Sequence, residues 1–327
     1  MQTSKKIRIA FVYMPCAGLT KNYFFTTSHH FFMTALKRNP DIEISYFPSE
    51  KSFDAMKLKG KFDVILLFED KLTPCSIEKL VDIKKTGIPV VVRTGDLQET
   101  KHFDISESQE KYGITAYFGY YAKDFFYEYY PKDCKYKTIF FGLESSLYQN
   151  LQPFSKRIKN RILNSGATGN TKTISKIINR IKNRDNALHH YYLRTICNKL
   201  PYVDYTPTLE HEYTGDKYPL LLQKYRASIA ATTASYTAKY IEISAAGCLT
   251  FMEVTERNLA HTLNFQDGKS AIFINEKNYE KKFEEYLESP DDPIWEQIAN
   301  SGREHVLQNF TNDHAVNSLV KLFQEVI

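Results

Sequence analysis

Short apolar runs alternate with helix-like periodicity through the first half of the chain. Ile7–Tyr13, Ile42–Phe47, Val64–Phe68, Val90–Arg93, Thr115–Tyr120 and Thr138–Phe141 are rich in β-branched and aromatic side chains and predict strands. Helices are predicted near His29–Arg38, Ser76–Thr86, Glu107–Tyr112 and Ala122–Tyr129, with Gly87 and Pro131 closing two of them. Strands and helices in alternation are the pattern of a doubly wound α/β sheet. Such a sheet gathers ligands at the carboxyl ends of its strands, so the loops opening at Met14, Glu69 and Thr94 are expected on the functional edge.

The pattern restarts after Phe154. A basic strand, Arg161-Ile-Leu-Asn, runs into the loop Ser165-Gly166-Ala167-Thr168-Gly169-Asn170. Ile174, Ile177, Ile178 and Ile181 then recur at helical spacing, making Thr171–Arg184 an amphipathic helix with a basic outer face. Helix Tyr191–Lys199, strand Tyr202–Tyr205, helix Pro219–Arg226 and strand Ser228–Ala231 follow. Strand Ala271–Asn275 and helices Tyr279–Leu287, Ile294–Gln308 and Asn312–Val326 close the chain. At 327 residues the chain exceeds what one hydrophobic core usually supports. Two domains are therefore expected, residues 1–153 and 154–327, with the boundary at Pro153.

Composition adds three constraints. Hydrophobic residues make up 43% and aromatics 14%, enough for two cores and against disorder. Cys16, Cys75, Cys134, Cys197 and Cys248 are single and scattered, without the close pairs of a zinc site or redox motif, and fit a reducing cytosol. No apolar run approaches the length needed to span a bilayer, so any membrane contact is expected to be peripheral. The net charge of +5 is unevenly placed: between Ser145 and Arg184 there is no acidic residue, while Lys156, Arg157, Lys159, Arg161, Lys172, Lys176, Arg180, Lys182 and Arg184 fall there. That stretch suits an anionic donor or acceptor, an acidic lipid surface, or a plain solvated helix face. No nucleic-acid motif accompanies it, and nucleic acid is not an expected partner.

The densest chemistry lies in Lys239-Tyr-Ile-Glu242-Ile-Ser-Ala-Ala-Gly247-Cys-Leu-Thr-Phe-Met-Glu253. It places a carboxylate on a small-residue helix that stops at a glycine before an apolar strand. Glu242 can accept two hydrogen bonds from a vicinal diol, and Gly247 suits a left-handed helix cap. A buried helix with a satisfied glutamate is the plainer alternative. The segment resembles the Glu-x-x-x-x-Gly element of glycosyltransferases of the GT-B fold. It resembles most the group 1 glycosyltransferase domain of CgeB-like proteins, which also carries a Lys-x-x-Glu lead-in and a tail like Gly302-Arg303 and Phe310-Thr311. The resemblance spans residues 217 to 327 and implies two Rossmann-like domains facing a cleft. The first would be the acceptor side. The second would bind a nucleotide sugar and hold its ribose on Glu242.

Departure of a nucleoside diphosphate must be stabilised by a metal, basic side chains or backbone N–H groups. The chain has no Asp-x-Asp, and Glu210-His-Glu212 is expected in a solvated turn, so no metal or other cofactor is expected. The loop around Gly166, Ala167 and Thr168, together with Lys239, is the candidate diphosphate site, with Lys172 and Arg226 as lesser candidates. Many retaining relatives carry a second glutamate eight positions before Glu242, where this chain has Ala234. Thr233, Ser235, Tyr236 and Thr237 are then candidates for donor contact, and inversion is slightly favoured. An inverting enzyme needs a base on the acceptor side. His29 and His30 at the start of the first helix, or Asp96 after Val90–Arg93, are the candidates, with Glu69 and Asp70 placed to orient acceptor hydroxyls. The expected reaction is transfer from a nucleoside-diphosphate sugar to a carbohydrate or lipid-linked acceptor. A nucleotide-sugar epimerase, or a two-lobed binding protein without turnover, are the alternatives.

Overall fold

The computed structural model describes residues 6–14, 34–49, 51–67, 79–95, 97, 105–169, 187–207, 212–213 and 215–327. The chain packs as two units, Met1–Leu143 with Thr311–Ile327, and Glu144–Phe310.

In the first unit, strands β1 (Ile7–Tyr13), β2 (Ile42–Pro48), β4 (Val64–Leu67), β6 (Val90–Arg93), β7 (Ile114–Gly119) and β8 (Tyr136–Thr138) form a parallel sheet in the order β2-β1-β4-β6-β7-β8. A separate parallel pair joins β3 (Ser52–Asp54) to β5 (Lys79–Val81). Helix α1 (Ile105–Tyr112) precedes β7. Two expectations change here. Part of the predicted helix Ser76–Thr86 is β5 followed by a 3-10 turn, because Lys79–Val81 pair with Ser52–Asp54 and Asp82 takes a left-handed φ of 56°. The strand predicted at Thr138–Phe141 ends at Thr138. Phe125 and Phe126 pack inward, Phe126 stacking on Tyr136 at 3.8 Å between ring centroids.

In the second unit, β9 (Ile158–Ser165), β10 (Val203–Thr206), β11 (Tyr225–Ala230), β12 (Leu249–Glu253) and β13 (Ile272–Ile274) form a parallel sheet in the order β10-β9-β11-β12-β13. Its crossovers include helices α2 (Tyr192–Cys197), α3 (Tyr218–Leu222) and α4 (Lys239–Ala245), and helices α5 (Tyr279–Glu288) and α6 (Pro293–Asn309) follow β13. The strand order reverses between β9 and β11, which makes their carboxyl ends the switch point where sheets of this kind bind ligands.

Helix α7 (Asn312–Val326) returns to the first unit. Its Val316, Leu319, Leu322 and Phe323 pack with Ile9, Phe11, Val64, Val91 and Phe118, while Arg38 and Asp313 pair at 2.7 Å. The division thus falls at Leu143 rather than at Pro153, and the last helix does not stay with the second unit. Residues just after Leu143 are bound into the second unit: the Tyr148 carbonyl accepts from Arg303 and the Gln152 carbonyl from Arg157.

Candidate functional site

The site is built on the reversal between β9 and β11. After Ser165 the chain turns at Gly166, whose φ of +106° is one that side-chain-bearing residues rarely adopt. The turn is crowded by two cations. A Cβ placed on Gly166 would lie 2.6 Å from Lys239 Cε and 2.8 Å from Arg194 Nη1. The Gly166→Ala variant is therefore expected to lose about 1–3 kcal/mol of stability. A melting temperature equal to that of the parent would show that the turn is not held this way.

Arg194, on α2, is only 1% exposed. Its Nη1 donates to the Ala167 carbonyl at 3.2 Å and its Nη2 to the Ala231 carbonyl at 2.8 Å, so it ties the β9 turn to the end of β11. The guanidinium lies 4.6 Å from the centre of the Tyr191 ring, and Nε has no hydrogen-bond partner among the described residues. Lys239, the first residue of α4, is half-buried. Its Nζ donates to Tyr218 Oη at 3.1 Å and sits 4.5 Å from the centre of that ring. Among the described residues, no carboxylate lies within ion-pair distance of either cation. Burial, together with the like charge of Arg194 and against the pull of Glu242, lowers Lys239 to about 8. Two neighbouring cations taken from water with no carboxylate in ion-pair contact are costly in the empty protein, and a bound dianion would relieve that cost.

Glu242 lies one turn along α4, half-buried, and its carboxylate makes no hydrogen bond among the described residues. Burial raises its pKa against the opposing charge of Lys239. The Tyr148 and Tyr218 phenols are raised by burial first and by the charge of Glu242 second. At the far end of α4, Gly247 takes φ +66°, its N–H donates to the Ser244 carbonyl, and the Cys248 N–H donates to the Ile243 carbonyl. These are the bonds of a Schellman cap. Arg157 donates to the Ala246 and Gly247 carbonyls at 2.8 Å each and completes it.

The structure thus brings Gly166, Ala167 and Lys239 together, with Glu242 one helical turn away. Thr168 uses its hydroxyl on Tyr205. In the turn from β11 to α4, Tyr236 is buried and its N–H donates to the Asn258 carbonyl, while Ser235 bonds the Tyr236 carbonyl. The Thr233 and Thr237 hydroxyls are buried without a partner among the described residues. Arg226 lies at the amino end of β11, away from this edge, and donates to Asp291 and the Phe154 carbonyl. Of the basic stretch, Lys159 and Arg161 pair with Asp291 and Asp204. His29, His30, Asp96, Glu69, Asp70 and Lys172 lie outside the described residues, whereas Glu212 is an exposed turn residue.

Arg194 and Tyr218 were missed in the sequence, and Ser165 was read only as the start of the candidate loop. Only Arg194 left a signal, a charge between Leu193 and the apolar pair Ile196 and Cys197 where a helix presents its buried side. Among the described residues no group of three or more His, Cys, Asp or Glu side chains is arranged to hold a metal ion. None of the described helices is long and apolar enough to cross a membrane.

Residues 178–321 match the family described as glycosyl transferase-like. The whole chain is similar in structure to an alpha-glucosyltransferase in complex with UDP-glucose and DNA containing an abasic site, at TM-score 0.62 and 10% identity, covering 98% of this chain and 100% of that one. It is likewise similar to Anabaena HepE in complex with UDP-glucose, at TM-score 0.57 and 10% identity over 98% and 100% of the two chains. A glycosyltransferase from Rickettsia africae aligns at TM-score 0.55 and 12% identity over 98% of each. Comparison with curated proteins found no match. The structural likeness shows the fold, the GT-B architecture. The domain match supplies the enzyme class, a glycosyltransferase.

Proposed function

We propose that the protein transfers a sugar from a uridine diphosphate sugar to a carbohydrate or lipid-linked acceptor, with the donor bound at the carboxyl edge of the second sheet. The observation that carries this is the pair Arg194 and Lys239 closing on Gly166 with no carboxylate within ion-pair distance among the described residues. In this reading their charges, with the backbone of Gly166, Ala167 and Thr168, take the diphosphate. Glu242 takes the ribose hydroxyls, and Ser235, Tyr236 and Thr237 line the turn beside the donor. When the bond from the anomeric carbon to the β-phosphate oxygen breaks, its electron pair leaves with the diphosphate. Two fixed cations meet that growing charge with little reorganisation, as a metal would elsewhere. The donor is a substrate, and no further cofactor is invoked.

Inversion fits Ala234 at the position where many retaining relatives place a glutamate, and His29, His30 or Asp96 then serves as the acceptor base. The uridine base is suggested by the UDP and UDP-glucose in the similar structures. The DNA bound by one of those proteins is a property of that protein. A cytoplasmic location, with peripheral contact between the basic stretch and an acidic membrane face, accords with the same reading.

Thermal shifts with nucleoside diphosphates, measured with and without magnesium, test it. Uridine diphosphate is expected to raise the melting temperature in both conditions, since a ligand at a hundred times its Kd adds about 2.7 kcal/mol. The shift is expected to shrink between pH 7 and pH 9. The anion binds protonated Lys239, and the empty site loses that proton as pH rises through about 8. No shift with any nucleoside diphosphate would sink the transferase reading.

A further inference from the structure

Ser165, Tyr218 and Lys239 come from the carboxyl end of β9, the start of α3 and the start of α4, yet their polar ends form one chain. Lys239 Nζ lies 3.1 Å from Tyr218 Oη, and Tyr218 Oη lies 2.6 Å from Ser165 Oγ. An ammonium carries three N–H donors and no acceptor, so Lys239 donates and the phenol oxygen accepts. The tyrosine also offers its ring face, 4.5 Å from the ammonium, a distance at which aromatic faces attract cations. Both contacts oppose the effect of Arg194, whose like charge repels the ammonium beside Gly166. Ser165, 1% exposed at the end of a central strand, fixes the phenol oxygen.

Resting on the donor site proposed above, we infer that Tyr218 is a positioning residue for Lys239: ring and hydroxyl together hold the ammonium against the diphosphate, and Ser165 holds Tyr218. The chain also supplies a free hydrogen. Two hydroxyls and an ammonium make two hydrogen bonds, and whichever hydroxyl donates within the pair, the other keeps a hydrogen with no acceptor among the described residues. An anion beside Gly166 would accept it. No bond is made or broken in this role. Tyr218 acts through Lys239 and through charge placement alone.

The test is a set of titrations with uridine diphosphate across pH, on the parent, Tyr218→Phe, Ser165→Ala, the double variant and Lys239→Met. The groups facing Lys239 are Arg194, Glu242 and Tyr218, and of these only Tyr218 is altered. Tyr218→Phe keeps the ring and is expected to weaken binding about tenfold at pH 7, the scale of one hydrogen bond to a charged group. It is also expected to move the alkaline fall in affinity to lower pH, because the lost oxygen favoured the ammonium. A structural role alone would weaken binding equally at every pH. Adding Ser165→Ala to Tyr218→Phe is expected to cost nothing further. If Lys239→Met abolishes binding while Tyr218→Phe leaves the alkaline fall in place, the positioning role is overturned and the donor site stands. If Lys239→Met binds like the parent, the donor site falls and the inference falls with it.

Discussion

Replacing Arg194 by methionine is expected to weaken uridine diphosphate binding by about a hundredfold or more, while the melting temperature of the empty protein changes by a few degrees at most. Truncating one partner of a buried, hydrogen-bonded charge pair costs about 2–5 kcal/mol, roughly 30- to 5,000-fold in affinity. The empty protein balances opposing terms. Loss of the guanidinium leaves the Ala167 and Ala231 carbonyls without their donor, at about 1–3 kcal/mol each. It also removes a buried cation with no carboxylate within ion-pair distance among the described residues, a burden of several kcal/mol, and methionine fills much of the same volume. Titration calorimetry and thermal melting separate the two effects. Undiminished affinity would overturn the anion site, and a collapse in melting temperature would make Arg194 a structural clamp.

The Glu242→Ala variant is expected to bind uridine diphosphate about a hundredfold more weakly and to lose its preference for ribose over deoxyribose. A carboxylate bridging a diol makes two hydrogen bonds, each worth about 1.5–3 kcal/mol when one partner is charged. In the empty site the Glu242 carboxylate accepts no hydrogen bond among the described residues, so its truncation leaves no donor unpaired and the fold should hold. The decisive comparison is between uridine diphosphate and its 2′-deoxy counterpart. The parent should favour the ribose form by about tenfold, the scale of one such bond. The variant should bind both alike. A variant that still discriminates between them would place the ribose elsewhere. Loss of the negative charge also deprives Lys239 of an opposing charge that favours its ammonium, so the alkaline fall in affinity should move to lower pH as well.

Much of the scaffold was legible because its signals are local. Ile7–Tyr13 and Val90–Arg93 are strands over the predicted residues, and Asn312–Val326 is a helix over the predicted span. Where a run is short and its partner distant, local pattern failed. Lys79–Val81 sit in a stretch with helical spacing and became a strand only because Ser52–Asp54 offer a free edge. Likewise Tyr225 and Arg226 were read as the end of a helix, yet they open β11, where Tyr225 pairs with Ile158 of β9.

The lysine, the carboxylate one turn later and the capping glycine of Lys239–Gly247 were visible from spacing alone, since all three sit on one short helix and its cap. Their surroundings were not. Arg194 and Lys239 are far apart in the chain and converge on Gly166 only because the strand order reverses between β9 and β11. Tyr218 reaches Lys239 for the same reason. The sequence by itself determined the parallel α/β class, most strand positions and the helix that carries Glu242, because each follows from periodicity and propensity within a few residues. Only the tertiary structure decided that the chain divides at Leu143, that its last helix returns to the first unit, and that Arg194 and Lys239 close on one turn. Those outcomes rest on contacts between distant segments, whose energies depend on which surfaces meet and leave no periodic mark in the chain.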